Sequence, residues 1–171
     1  MVTELGNYFG RIEDLRNQIS KLVSDLPAQA LNWCPIQGKE DHVTNSIAVL
    51  VYHTVGAEHF WIGEMVGGLP ETRNRDAEFK KIVEGADEIL RVIDKTSQET
   101  RGVFSRLLET DLNGSRVVKG RKVDVRWCLL HVVDHTSLHL GHMQLTYQLW
   151  SGGKYFPSPL WSDRLPANQD S

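Results

Sequence analysis

Cysteine is scarce in this chain. Cys34 and Cys128 are the two present, far apart and in no Cys-x-x-Cys pattern, so nothing marks a disulfide framework. That usage fits a reducing cytosol. No apolar run reaches the ~18 residues of a membrane span. Concentrated positive charge is also missing: 19 Lys and Arg stand against 22 Asp and Glu, scattered, for a formal net charge of -3. The electrostatic footprint of a nucleic-acid binder is therefore absent. The N-terminus carries Glu4, Glu13 and Asp14 in an amphipathic stretch, unlike a secretory signal. There is no internal repeat, low-complexity tract or interdomain linker. The expectation is a cytoplasmic protein that binds neither nucleic acid nor membrane. Its 171 residues suit one domain with a core that needs no staples.

What the chain does have is helical periodicity. Over residues 4–25, Leu5, Phe9, Ile12, Leu15, Ile19, Leu22 and Leu26 recur at spacings of three and four, and Pro27 ends the stretch. Residues 27–44 read as a loop. A second helix is expected from an N-cap at Thr44 or Asn45 through Val49, Val51, Phe60 and Met65, stopping at Gly67-Gly68. The third, over 76–109, places Phe79, Ile82, Val83, Ile89, Ile93, Val103 and Leu107 in register, with a bend near Ser97–Gly102. Asn113-Gly114 marks a turn, and Val117 to Val123 predicts a short two-stranded ribbon. The last helix starts after Asp124, runs to Trp150 and ends at Gly152-Gly153. The fold class is all-α, a four-helix bundle with a short extended segment before the last long helix. Residues 1–155 form the bundle and 156–171 an extended tail.

Four of the seven histidines, His131, His135, His139 and His142, fall within twelve residues of that last helix. At about 100° per residue they share an arc of only ~80°. One helix face cannot surround an ion, so a metal would need a further ligand from another element: His42, His53 or His59. His53 sits on an otherwise apolar stretch; His59 points about 240° round from it. A lone buried histidine is by default a hydrogen-bonded core residue, and spacing alone is equally compatible with a metal centre and a histidine-rich polar face. The cluster lacks the Glu of His-Glu-x-x-His, so a helix-borne general base of that kind is not supported. Cys128 reads as a small core side chain, and Asp134 as either a solvated carboxylate or a partner that orients His135.

The run Ser46-Ile-Ala-Val-Leu-Val-Tyr-His53, the loop Leu31-Asn-Trp33-Cys-Pro35 and the helix Arg126 to His142 together resemble the DinB/YfiT-like family over roughly residues 5–152. The resemblance implies a four-helix bundle with a connection that is not up-and-down. It also implies a divalent metal held by His53, His135 and His139, with zinc or nickel the expected ion. His131 and His142 would flank the site, and His131 or Asp134 would serve in support or acid–base work.

Three neutral ligands would leave the full charge on the ion, lowering the pKa of a bound water towards ~7 or deprotonating a bound thiol. Relatives that use a low-molecular-weight thiol such as mycothiol or bacillithiol suggest a thiol-dependent S-transferase or isomerase acting on a small-molecule substrate. The alternatives are a metal-dependent amide or ester hydrolase, and a metal-binding stress-response bundle without turnover. A homodimer is expected from the family, with Trp61, Trp150 and Trp161 available to an interface or to the core.

Overall fold

The computed structural model describes residues 3–36, 38, 44–154 and 159–165. Its long elements are α1 (Glu4–Val23), α3 (Ile47–Glu58), α5 (Ala86–Phe104) and α6 (Val125–Trp150), with the short helices α2 (Ala28–Asn32) and α4 (Arg75–Glu78) between them. The chain is all-α apart from the hairpin β1 (Ser115–Val118) and β2 (Arg121–Asp124). Both α1 and α3 pack against α5 and α6, so the order round the bundle is α1, α6, α3, α5. Two of the three connections between successive long helices thus cross the bundle diagonally.

Local chemistry sets most boundaries. Thr3 caps α1 by accepting from the Gly6 amide. Asp124 caps α6 by accepting from the Trp127 amide, and Gly152 and Gly153 end it with φ of 72° and 98°. The hairpin pairs Ser115 with Asp124 and Val118 with Arg121. Its two-residue turn, Lys119-Gly120, has positive φ at both positions, as a tight hairpin requires. Arg116 of β1 donates to the carbonyls of Met65 and Val66, satisfying the end of the second long helix.

Three expectations need correction. The loop over 27–44 contains α2, started by Pro27, which suits the first turn of a helix because it has no amide to leave unpaired. The cap of α3 is Ser46, whose hydroxyl accepts from the Val49 amide, instead of Thr44 or Asn45. The segment 76–109 is not one helix bent near 97–102. It breaks earlier, between α4 and α5, because the Asn32 side chain holds both the Val83 amide and carbonyl; α5 then runs unbroken past Ser97.

α3 continues without interruption into a π-helical segment, His59–Val66. The Gly67 amide bonds to the Ile62 carbonyl five residues back. The core forms two apolar clusters, one around Leu15, Ile19, Val51, Ile93 and Met143, the other around Ile12, Ile62, Val103, Leu129 and Val132. Each long helix carries a buried polar residue near the change from one cluster to the other: Arg16 on α1, Glu58 on α3, Thr100 on α5 and Thr136 on α6. Arg16 Nη1 meets Glu58 Oε1 at 2.7 Å; Thr100 donates to the same oxygen. A buried charge needs such partners.

Candidate metal centre

The candidate histidines stand beside this polar layer. α3 contributes His53 and α6 contributes His135 and His139, and one ring nitrogen from each lies within 4.8 Å of the others. His53 Nε2 is 3.1 Å from His135 Nε2. The His139 ring centroid is 4.4 Å from that of His135 and 5.0 Å from that of His53. Two nitrogens bound to one ion at ~2.0–2.1 Å would be separated by roughly 3–3.4 Å at a cis edge, so the observed separation fits the edge of a coordination shell.

Burial, with the neighbouring His139, His53 and His131 adding to it, pushes His135 down to about 3. Burial first, then His53 and His142, pushes His139 down to about 4. Both rings are therefore neutral at physiological pH and carry lone pairs without losing a proton. His53 Nδ1 faces Glu78 Oε2 at 2.9 Å, which commits its other nitrogen to the side where His135 and His139 stand. His135 Nδ1 is buried without a hydrogen-bond partner. With Nε2–H on His135, that Nδ1 is a bare buried acceptor; with Nδ1–H, two Nε2 lone pairs confront each other. A cation between the Nε2 atoms relieves the second arrangement, so the donor set fits a metal ion.

His131 lies one turn from His135 and stacks on Trp127 at 4.9 Å and 4°, with Trp61 of the π segment against its edge at 5.0 Å. Burial lowers its pKa too. Asp134 is exposed and does not reach His135, whose free nitrogen stays unpartnered. His142 extends the row, its Nδ1 3.4 Å from His139 Nδ1. Beside it is a cavity of about 580 Å³ lined by Pro35, Ile36, Leu50, His142, Leu145 and Leu149 among others. His59 is elsewhere: it binds Glu99 through Nδ1 at 2.7 Å and Thr72 through Nε2 at 2.9 Å. His42 falls outside the described residues, as does the side chain of Trp161. Cys128 is fully buried in the second apolar cluster, its thiol pushed up to about 11 by burial.

Several contributors were not evident in the sequence. Phe79, periodic enough to pass for core, instead lays its ring on His53 at 4.9 Å and remains 38% exposed. Glu78 is gripped by Arg73 through Nε at 2.8 Å and Nη2 at 3.0 Å. Burial raises its carboxyl, but the hydrogen bonds from His53 and Arg73 outweigh burial and hold it below its ordinary value. No local pattern singles out either residue, since Glu78 reaches a histidine 25 positions away.

The sequence profile of the DinB superfamily matches residues 11–143. The chain belongs to the DinB superfamily. Solved structures agree in fold. A DinB-like protein from Bacillus cereus superposes with a TM-score of 0.70 at 15% identity, covering 93% of this chain and 100% of that one. A DinB-like protein from Bacillus subtilis gives 0.64 at 17% identity, over 89% and 96%. A conserved protein from Enterococcus faecalis gives 0.69 at 14% identity, over 89% and 99%. At such identities the likeness is one of fold. No curated protein matches the chain. Among the described residues no helix is long and apolar enough to cross a membrane.

Proposed function

We propose that this DinB superfamily member is a divalent-metal-dependent enzyme, with His53, His135 and His139 as ligands and a low-molecular-weight thiol as cosubstrate in S-transfer or isomerisation. The observation that carries the reading is the convergence of three imidazoles, two of them held neutral by burial, from only two helices. Donors supplied from one side leave the rest of the ion's shell to exogenous ligands. A bound zinc or nickel would supply Lewis acidity, lowering the pKa of a coordinated thiol or water.

The surrounding residues suit a thiol better than hydrolysis. Among the described residues no carboxylate stands free beside the triad to act on a water: Glu78 is committed to His53 and Arg73, and Asp134 is exposed on the flank. His131, stacked on Trp127 and with its pKa lowered by burial, would be the imidazole that takes the thiol proton. In S-transfer the sulfur forms a bond to the carbon of an electrophile, and the leaving group departs with that carbon's bonding pair. The apolar cavity beside His142 gives a small organic electrophile a place to bind.

The test is metal content by plasma mass spectrometry on untagged protein, beside His139→Ala, followed by turnover of a haloaromatic with a panel of thiols. Expected are about one zinc or nickel per chain, lost in the variant, and thiol-dependent turnover that a chelator abolishes. Thiol-independent ester cleavage sensitive to chelator would replace this reading with hydrolysis. Tight metal binding without turnover on either panel would leave a non-catalytic metal protein, and no metal after reconstitution would refute the centre altogether.

A further inference from the structure

We propose that Glu78 is the positioning residue of this centre: its carboxylate, clamped by Arg73, accepts the Nδ1 proton of His53 and aims the Nε2 lone pair of His53 at His135 and His139. The inference rests on the reading of His53 as a ligand. A carboxylate bound by a guanidinium through two N–H groups can only accept, so the hydrogen in its contact with His53 belongs to Nδ1. That fixes the tautomer and orients the ring, with the carboxylate charge itself balanced by Arg73.

The clamp is itself anchored. Glu64, buried in the π segment, accepts from the backbone amides of Thr72 and Arg73 at 2.7 and 2.9 Å. The segment that carries Arg73 is thus tied to the helix that carries His53. Asn74 then caps α4, accepting from the Ala77 amide and setting the turn on which Glu78 sits. The approach of Glu78 to α3 also needs space. A Cβ at Gly56 would collide with the Glu78 carboxylate. Gly56 lies inside α3, where helix propensity alone would favour alanine. Among the described residues the other two imidazoles have no such support: His135 Nδ1 has no partner, and His139 Nδ1 faces His142.

Two substitutions separate this role from a structural one. Glu78→Gln keeps the side chain's shape and removes its charge. Gly56→Ala leaves Glu78 chemically intact, raises helix propensity and displaces the carboxylate. Zinc affinity is read by competition with a chromophoric chelator, the ligand set by the visible spectrum of the cobalt(II) form, and the His53 tautomer by long-range ¹H–¹⁵N NMR on metal-free protein. Both variants should bind one ion per chain 10–100-fold more weakly than wild type. Their cobalt spectra should keep the wild-type bands, and His53 in the wild type should carry its proton on Nδ1. Unchanged affinity in both variants, or an Nε2–H tautomer in the wild type, would overturn the proposal while leaving the three-histidine centre standing. Altered cobalt bands in Glu78→Gln would make Glu78 a ligand, which also overturns it. A wild type that binds no ion would refute the metal reading itself, and with it this role for Glu78.

Discussion

Acidifying the metal-free protein should destabilise it through His135 and His139, in a window set by their burial. Folded, these rings titrate at about 3 and about 4; unfolded, they titrate near ~6.5. Between those values the unfolded chain binds protons that the folded chain refuses. Stability is then fully present above ~6.5, falls as pH falls below it, and goes on falling until the folded rings themselves protonate. From pH 6.5 to 5.0 each ring would cost up to ~1.6 kcal/mol, or about 3 kcal/mol for the pair, at ~1.36 kcal/mol per pKa unit. Both rings keep part of their surface in water, where charge is screened, so about half of that is the expected loss. Against a total of roughly 5–15 kcal/mol this is measurable. Urea unfolding with chelator present at pH 6.5 and 5.0, wild type beside His135→Ala, reads it directly. The variant should show a clearly shallower pH dependence. Parallel curves for the two proteins would refute the claim that the folded bundle shields these imidazoles from protons. Zinc-saturated wild type should be steeper still, because protons then compete with the ion for the same nitrogens.

Two further outcomes follow from the buried polar layer and the cysteines. Glu58→Ala should cost up to about 3 kcal/mol by urea denaturation, because it removes one of the two carboxylate partners of the buried Arg16 guanidinium and leaves only Glu13, whereas Arg16→Met combined with Glu58→Leu should recover most of the loss. With its thiol at about 11 and no exposed surface, Cys128 should resist iodoacetamide at pH 8 in the folded protein and react only on unfolding; peptide mapping that finds it alkylated before Cys34 would contradict its placement in the core.

The elements most legible in the sequence are those whose ends are set by neighbours in the chain. Thr3 and Asp124 cap their own helices, Gly152-Gly153 close α6, and Lys119-Gly120 turn the hairpin within a few residues. The histidine row is legible for the same reason, since a helical arc needs only the spacing 4, 4, 3. What escaped depends on distance. The break before α5 is imposed by Asn32 from about fifty positions away. Apolar periodicity cannot tell a core contact from the wall of a site, which is why Phe79 passes for core. Ser46, Asn45 and Thr44 are all competent caps, and only packing of Ile47 and Ala48 into the core selects the first. Glu78 and Gly56 look ordinary until α4 is folded onto α3.

The position of the site has a physical logic of its own. A bundle of this size buries polar side chains where they find partners, and one group of them gathers near the level between the two apolar clusters. On the α1–α3–α5 side the layer is closed: Glu58 bonds to Arg16 and Thr100, Arg16 bonds also to Glu13, and burial holds the Glu58 carboxyl above its ordinary value. On the α3–α6 side it is unfinished, with the facing nitrogens of His53 and His135, one unpartnered Nδ1, and burial keeping His135 and His139 unprotonated. Neutral rings cost far less to bury than an unpaired charge, so the bundle can fold before any ion arrives. The same economy explains why the Glu78 carboxylate, in contact with His53, is already committed to Arg73. A free carboxylate there would be costly to bury; a clamped one is tolerated and still accepts from His53.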